Sequence, residues 1–295
     1  ITHNESESGK GIKVYGTLTL WNGTITGNNA SDGGGVYVSS SGSFTMKGGT
    51  ITGNSASDDG GGMFISPGGS FTMKGGTISE NNAGKTGGGV YVFADGSFTM
   101  TDGSTITGNN ASTAGGVCVA SGGSFTMNGG TITGNNASTN GGGVSVYVSS
   151  SSKGKLIVSG EVQITNNWKN GTLDTDKGIY LIGDGEADNV YLFGKSTPAT
   201  ITIEEGLSKD ARIGVRKSST YLADGTVFKI ATGATGTMKY TEIFTSDVPD
   251  KYFITHNVDE GNLYLGMHQH SLTYTKGADD KTITATCHEA ASCPN

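Results

Sequence analysis

The chain has 295 residues, of which 51 are glycine and only 4 proline, and 15% are charged. Glycine at about one position in six is more than twice its usual share, and with an apolar fraction of 33% this disfavours helical packing; without a Gly-X-Y period, collagen is ruled out. The net charge of −7, with Arg212 and Arg216 the only arginines and the lysines scattered, leaves no basic patch for a phosphate backbone, and no apolar run is long enough for a membrane-spanning helix. Neither nucleic acid nor membrane insertion is therefore expected. Opening at Ile1 with no Met, basic leader or apolar leader core is what a piece cut from a longer chain would show.

In chain order, a weak strand signal at Thr17-Leu18-Thr19 leads into three ladders that advance together. Phe44, Phe71, Phe98 and Phe125 recur inside Ser-Phe-Thr-Met blocks; Ile25, Ile51, Ile78, Ile106 and Ile132 recur before Gly-Asn or a close variant; Val36, Met63, Val90, Val117 and Val144 follow a glycine cluster. Their common step is about 27 residues, the mark of a solenoid. Within each ladder the alternation is two-fold: Phe44 and Met46 share one side and Ser43, Thr45 and Lys47 the other, as in a half-buried strand. Glycine runs such as Gly33 to Gly35 and Gly60 to Gly62 sit where corners need positive φ.

Three strands per coil in register give an all-β fold, a right-handed parallel β-helix with coils about 4.8 Å apart. Lys155 to Val158 and Gly178 to Leu181 read as weaker turns of the pattern, for roughly six coils in all. Residues 1–187 are expected to form the regular coils. Residues 188–266, with strand-like runs at 189–193, 199–203, 211–215, 226–230, 252–255 and 262–265, are expected to form irregular closing coils or a β cap over the open sheet edges. Residues 267–295 read as the start of a following module or tail. There Cys287 and Cys293 are placed to close a disulfide, or with His268 and His270 to hold a metal; Cys118 stands alone.

Several columns invite chemistry. Asn28, Asn54, Asn81, Asn109 and Asn135 recur at the corner after the isoleucine strand, where an inward amide can bond the backbone and the amide of the next coil. The sequons at Asn29, Asn110 and Asn136 follow from repetition of the unit. Thr24/Thr26, Thr50/Thr52, Thr77/Ser79, Thr105/Thr107 and Thr131/Thr133 should project from one flat face, a hydroxyl lattice similar to the ice-contacting faces of β-solenoid antifreeze proteins. A matching Ser-x-Thr file lies on another face. Outward on the third strand come Tyr37, Phe64 and Tyr91, then Cys118 and Ser145; the three rings are candidate binding residues for sugar or protein, or stack to stabilise the sheet. Polysaccharide-degrading chemistry would need paired carboxylates or an acidic cation site with a base, yet residues 12–182 contain no His and no Arg. Asp32 and Asp59 would lie one coil apart on one corner, with Lys85 continuing their column. No catalytic residue, metal site or cofactor is expected.

The stretch from Ile25 to Tyr37, Ile-Thr-Gly-Asn-Asn-Ala-Ser-Asp-Gly-Gly-Gly-Val-Tyr, resembles the passenger repeats of chlamydial polymorphic outer membrane proteins, with Ile for their Phe and Gly-Gly-Val-Tyr for their Gly-Gly-Ala-Ile. It recurs five times over about half the chain and is also similar to the wider pectate-lyase-like superfamily. The tail, from Ser271-Leu-Thr-Tyr to Thr282-Ile-Thr-Ala-Thr-Cys287, looks like linking modules of bacterial surface proteins. The resemblance implies an extracellular or cell-surface bacterial adhesin or spacer. Its partner would be a glycan or host surface protein, and it would be a monomer within a larger multidomain chain. No catalytic residues transfer.

Overall fold

The computed structural model describes residue 2 and residues 11–170, 172–174, 179–181, 186–193, 199–217, 228–249, 252–267, 272–276 and 283–287. One coil shows how the sequence winds. Ser43–Met46, Thr50–Thr52 and Met63–Ile65 are its three strands, and a two-residue pairing segment, Ser55–Ala56, follows the asparagine corner. Because side chains alternate, Phe44, Met46, Ile51, Met63 and Ile65 all turn inward, and each is fully buried.

The next coil lies directly on top. Phe44 pairs with Phe71, Phe71 with Phe98 and Phe98 with Phe125 in parallel register. The isoleucine and valine ladders run in step beside them. Down the interior the four phenylalanine rings stack at centroid spacings of 5.3, 4.9 and 4.5 Å. Leu18 continues this file at one end and Leu156, then Ile201, at the other. The result is a right-handed parallel β-helix of about eight turns with almost no helix.

Eight turns exceed the six that the sequence motifs suggest, because the later strands pair without carrying the motifs. Val190–Leu192, Ile201–Leu207, Arg212–Lys217 and Phe228–Thr232 extend the sheets in parallel, with Ile, Val and Leu replacing Phe and Met. Conversely, Ile179–Leu181 is not a turn of the solenoid: it pairs antiparallel with Thr172–Asp174, as a hairpin that leaves the coil before Val190 resumes it. At the C-terminal end Asn262–Met267 pairs antiparallel with both Phe228–Thr232 and Tyr252–Asn257. Leu272–Lys276 and Ile283–Cys287 form a separate hairpin.

The glycine triplets divide the work between two causes. Gly33 alone of its triplet has positive φ, at 64°. Gly34 and Gly35 are needed for contact between coils: a Cβ on Gly34 would collide with the carbonyl of Ser55, and one on Gly35 would lie 2.7 Å from the carbonyl of Gly62. At the equivalent corner of a later coil, Ala114 takes the left-handed conformation at φ 57°. Since a non-glycine residue there costs about 1–2 kcal/mol, Ala114→Gly should raise the thermal unfolding midpoint. In the core, Phe98→Ala should cost about 3–5 kcal/mol by chemical denaturation, whereas Thr99→Ala on the outer side of the same strand should stay within about 0.5 kcal/mol.

Candidate functional site

The asparagine column is a continuous ladder, with Asn28, Asn54, Asn81, Asn109 and Asn135 all buried. Asn28 Nδ2 donates to Asn54 Oδ1 at 2.8 Å, and the same bond recurs at 2.9 Å through Asn81, Asn109 and Asn135. Each main-chain N–H donates to the same Oδ1, at 3.0–3.1 Å. The ladder goes further than the repeat motif. Asn167 and Asn189 continue it, and Asp247 ends it by accepting the N–H and Nδ2 of Asn189 at 2.7 and 2.6 Å. Asn167 follows a Thr-Asn pair much like the earlier corners, so it could have been found by eye. Asn189 and Asp247 could not: 58 residues separate them, and Asn189 stands at a corner where earlier coils carry glycine. A second, outer file at the pairing segments runs the other way, from Asn136 to Asn110 to Asn82, at 2.9 Å per step. The side-chain amides of the sequons at Asn110 and Asn136 are thus occupied.

Tyr37, Phe64 and Tyr91 do stack down the outer side of their sheet, with both neighbouring centroid spacings 5.2 Å. They are not an exposed file, however. Phe64 is only 8% exposed and the two tyrosines are half-buried. Parallel stacking turns each ring face toward the ring of the next coil, so edges rather than faces meet solvent. Lys13 stands over the Tyr37 ring at 5.4 Å. Below Tyr91 the file narrows to Cys118 and Ser145, both buried; burial pushes the Cys118 thiol well above its ordinary value and raises the Tyr91 and Tyr147 phenols as well.

A neighbouring outward position supplies rings that were missed. Phe93, 39% exposed, leans against Phe64 and Tyr91 at 6.0 Å and is the most open ring of the group. Tyr147 and Phe193 form a further pair at 5.2 Å, with Tyr191 at 6.5 Å from Phe193. Phe93, Tyr147 and Phe193 lie three residues after the rungs Val90, Val144 and Val190, two beyond the outward Tyr37 file that Tyr191 continues, at a spacing the alternation makes outward.

Asp32 and Asp59 border this aromatic field, and both act electrostatically on Tyr91. Asp32 accepts the N–H of Asp59 at 3.4 Å. Partial burial raises the Asp59 carboxyl, a Thr86 hydrogen bond opposes the rise, and Asp59 Oδ1 has no hydrogen-bond partner. Lys85 does not continue this column: Asp59 bridges to Thr86, while Lys85 pairs with Asp58 at 2.5 Å. A slip of one residue along a strand moves a side chain to the other face, and that is the difference between the two lysine placements.

The threonine pairs stand in register on the isoleucine sheet, half-buried for the most part. Near the C-terminal end, a bulge at Glu204, Glu205 and Gly206 opens a groove of about 780 Å³ over Ile203, Leu207, Met238 and Tyr240. Among the described residues no group of three or more His, Cys, Asp or Glu side chains could hold a metal. His268, His270 and Cys293, and the side chain of Cys287, lie outside the described residues.

Residues 10–192 match the family model described as a right handed beta helix region. No curated protein and no solved structure matches the chain.

The ladder geometry carries a quantitative consequence. Asn109→Ala would strand the two hydrogens that Asn81 donates to it, from N–H and Nδ2, and would remove the Nδ2 bonds to the carbonyls of Ile78 and Thr107 at 3.0 Å, of which Thr107 keeps the N–H of Glu80. With each buried orphan worth about 1–3 kcal/mol, a loss of at least about 3 kcal/mol should appear in thermal or denaturant unfolding.

Proposed function

Because the chain belongs to the right-handed β-helix family, we propose that it is a non-enzymatic bacterial protein, secreted or held at the cell surface, whose solenoid presents a binding face to a glycan or host protein. The observation that carries this reading is the aromatic field: Tyr37, Tyr91, Phe93, Tyr147 and Phe193 are part-exposed on one sheet, beside Asp32 and Asp59. Exposed rings next to carboxylates suit a partner that offers both apolar faces and hydroxyl or amine donors, as sugars and protein side chains do. Phe93, the most exposed of these rings, would make the main contact, with Tyr37 and Tyr91 contributing edges and hydroxyls. Phe64 is support: buried between them, it holds their spacing.

The resemblance of the Ile-x-x-Asn and Gly-Gly-Val-Tyr unit to chlamydial outer membrane passenger repeats, within a pectate-lyase-like superfamily, supports display outside the cell. A second reading rests on the in-register threonine pairs, whose flat rows of hydroxyls would suit ice. Thermal hysteresis of the protein solution would favour it. Release of unsaturated or reducing ends from acidic polysaccharides would favour a lyase or hydrolase instead.

The direct test is a glycan and extracellular-matrix array. Binding to at least one member, weakened at least about tenfold by Phe93→Ala with circular dichroism unchanged, is the expected result. No binding on either array, or binding indifferent to both Phe93→Ala and Tyr37→Ala, would overturn it.

A further inference from the structure

The C-terminal end of the asparagine ladder holds two carboxyls, Asp188 fully buried and Asp247 part-buried, that none of the binding readings uses. Asp188 and Asn189 occupy the corner before Val190–Leu192, and Asp247 follows Phe244–Ser246, with Arg212–Lys217 paired between the two strands. Asp247 accepts both donors of Asn189, and Asp188 Oδ2 accepts the N–H of Gly141 at 2.7 Å. Asp188 is fully buried, and its Oδ1 has no hydrogen-bond partner. Gly214 leaves room for the contact, since a Cβ there would strike Asp247 Oδ1 and Asn189 Nδ2. Together these residues tie three late strands, 190–192, 212–217 and 244–246, to the ladder of the regular coils.

We propose that this contact is a proton-operated clasp: mild acid tightens the closing coils of the solenoid, and neutral to alkaline pH loosens them. The charged groups that face the pair set the direction. Arg216 acts on both carboxyls and Lys169 on Asp188, each favouring ionisation, but Arg216 is already bonded to Glu186 and to the Ala187 carbonyl. Against them stand burial, the larger cause for both, and repulsion between Asp188 and Asp247. Asp188 is pushed up to about 7 and Asp247 to about 6. Both folded values lie above the ordinary carboxylate value of 3.8, so the clasped state binds more protons than the opened one. The stabilisation is complete below about pH 4 and is lost as pH rises through 6 and 7.

The test is hydrogen exchange read by mass spectrometry on the intact chain, corrected for intrinsic exchange rates. From pH 5 to pH 8, opening of peptides covering 186–193 and 244–249 should increase at least about tenfold, while peptides covering Phe71 and Phe98 stay unchanged. Asp188→Asn, which leaves the ladder terminus in place, should remove much of that dependence, and Asp188→Asn with Asp247→Asn all of it. Arg216→Met, by removing the cation that favours ionisation of both carboxyls, should move the transition to higher pH, and a move to lower pH would count against the clasp. Equal corrected protection at pH 5 and pH 8 in the unaltered chain, or a dependence that survives Asp188→Asn undiminished, would overturn the proposal.

Discussion

Each coil must satisfy the hydrogen bonds of the coil beneath it, and this sets the structure before any side chain is chosen. Parallel pairing places coils about 4.8 Å apart, so a residue sits directly over its counterpart one repeat away. Side chains tolerated there are those that can meet their own copies. Phenylalanine rings can, at 4.5–5.3 Å between centroids. So can asparagine, whose amide both donates and accepts, and β-branched isoleucine and valine, which pack flat. Glycine fills the corners where adjacent backbones come too close for any Cβ, as at Gly34 and Gly35.

The same rule limits what the outer surface can do. Where an aromatic recurs in successive coils, as Tyr37, Phe64 and Tyr91 do, its faces are spent on its neighbours, and the column serves the fold. Phe93 differs because the residues at its position one repeat away are Ser66 and Ala120. With no ring above or below in its own file, it tilts by 37° and 51° against Phe64 and Tyr91 and stays 39% exposed. Binding capacity on such a solenoid is therefore sought where a column breaks, and the regular positions are the scaffold.

This also explains what could be read from the sequence. The period, the inward Phe, Ile and Val files and the first five rungs of the asparagine ladder are legible, because each is a residue type repeated at fixed spacing. The closing coils are not, since their pairing survives while the motif is lost: Ile201 carries on the phenylalanine file without a Ser-Phe-Thr-Met block. For the candidate site, the column of Tyr37, Phe64 and Tyr91 could be placed, but ring orientation and burial could not, because they depend on stacking and on the corner loops. Thr86 rather than Lys85 beside Asp59 is a matter of one residue in register, which composition does not reveal.

The ladder has a direction, and its two ends are consequently unlike. Every inner side-chain amide donates toward the C-terminal coils, from Asn28 through to Asn189. A further asparagine at the last rung could accept those donors, but the amide hydrogen that each rung hands onward would point past the final coil, the Nδ2 of the inner rungs also reaching back to an isoleucine carbonyl. A carboxylate has acceptors and no donor, so Asp247 answers both bonds from Asn189 and leaves no N–H to satisfy. Burying that charge is costly, which is why the acid stands at the terminus of the chain of amides and nowhere along its interior. Two residues of nearly equal shape, asparagine and aspartate, thus have separate uses here, one for continuing a stack of coils and the other for ending it.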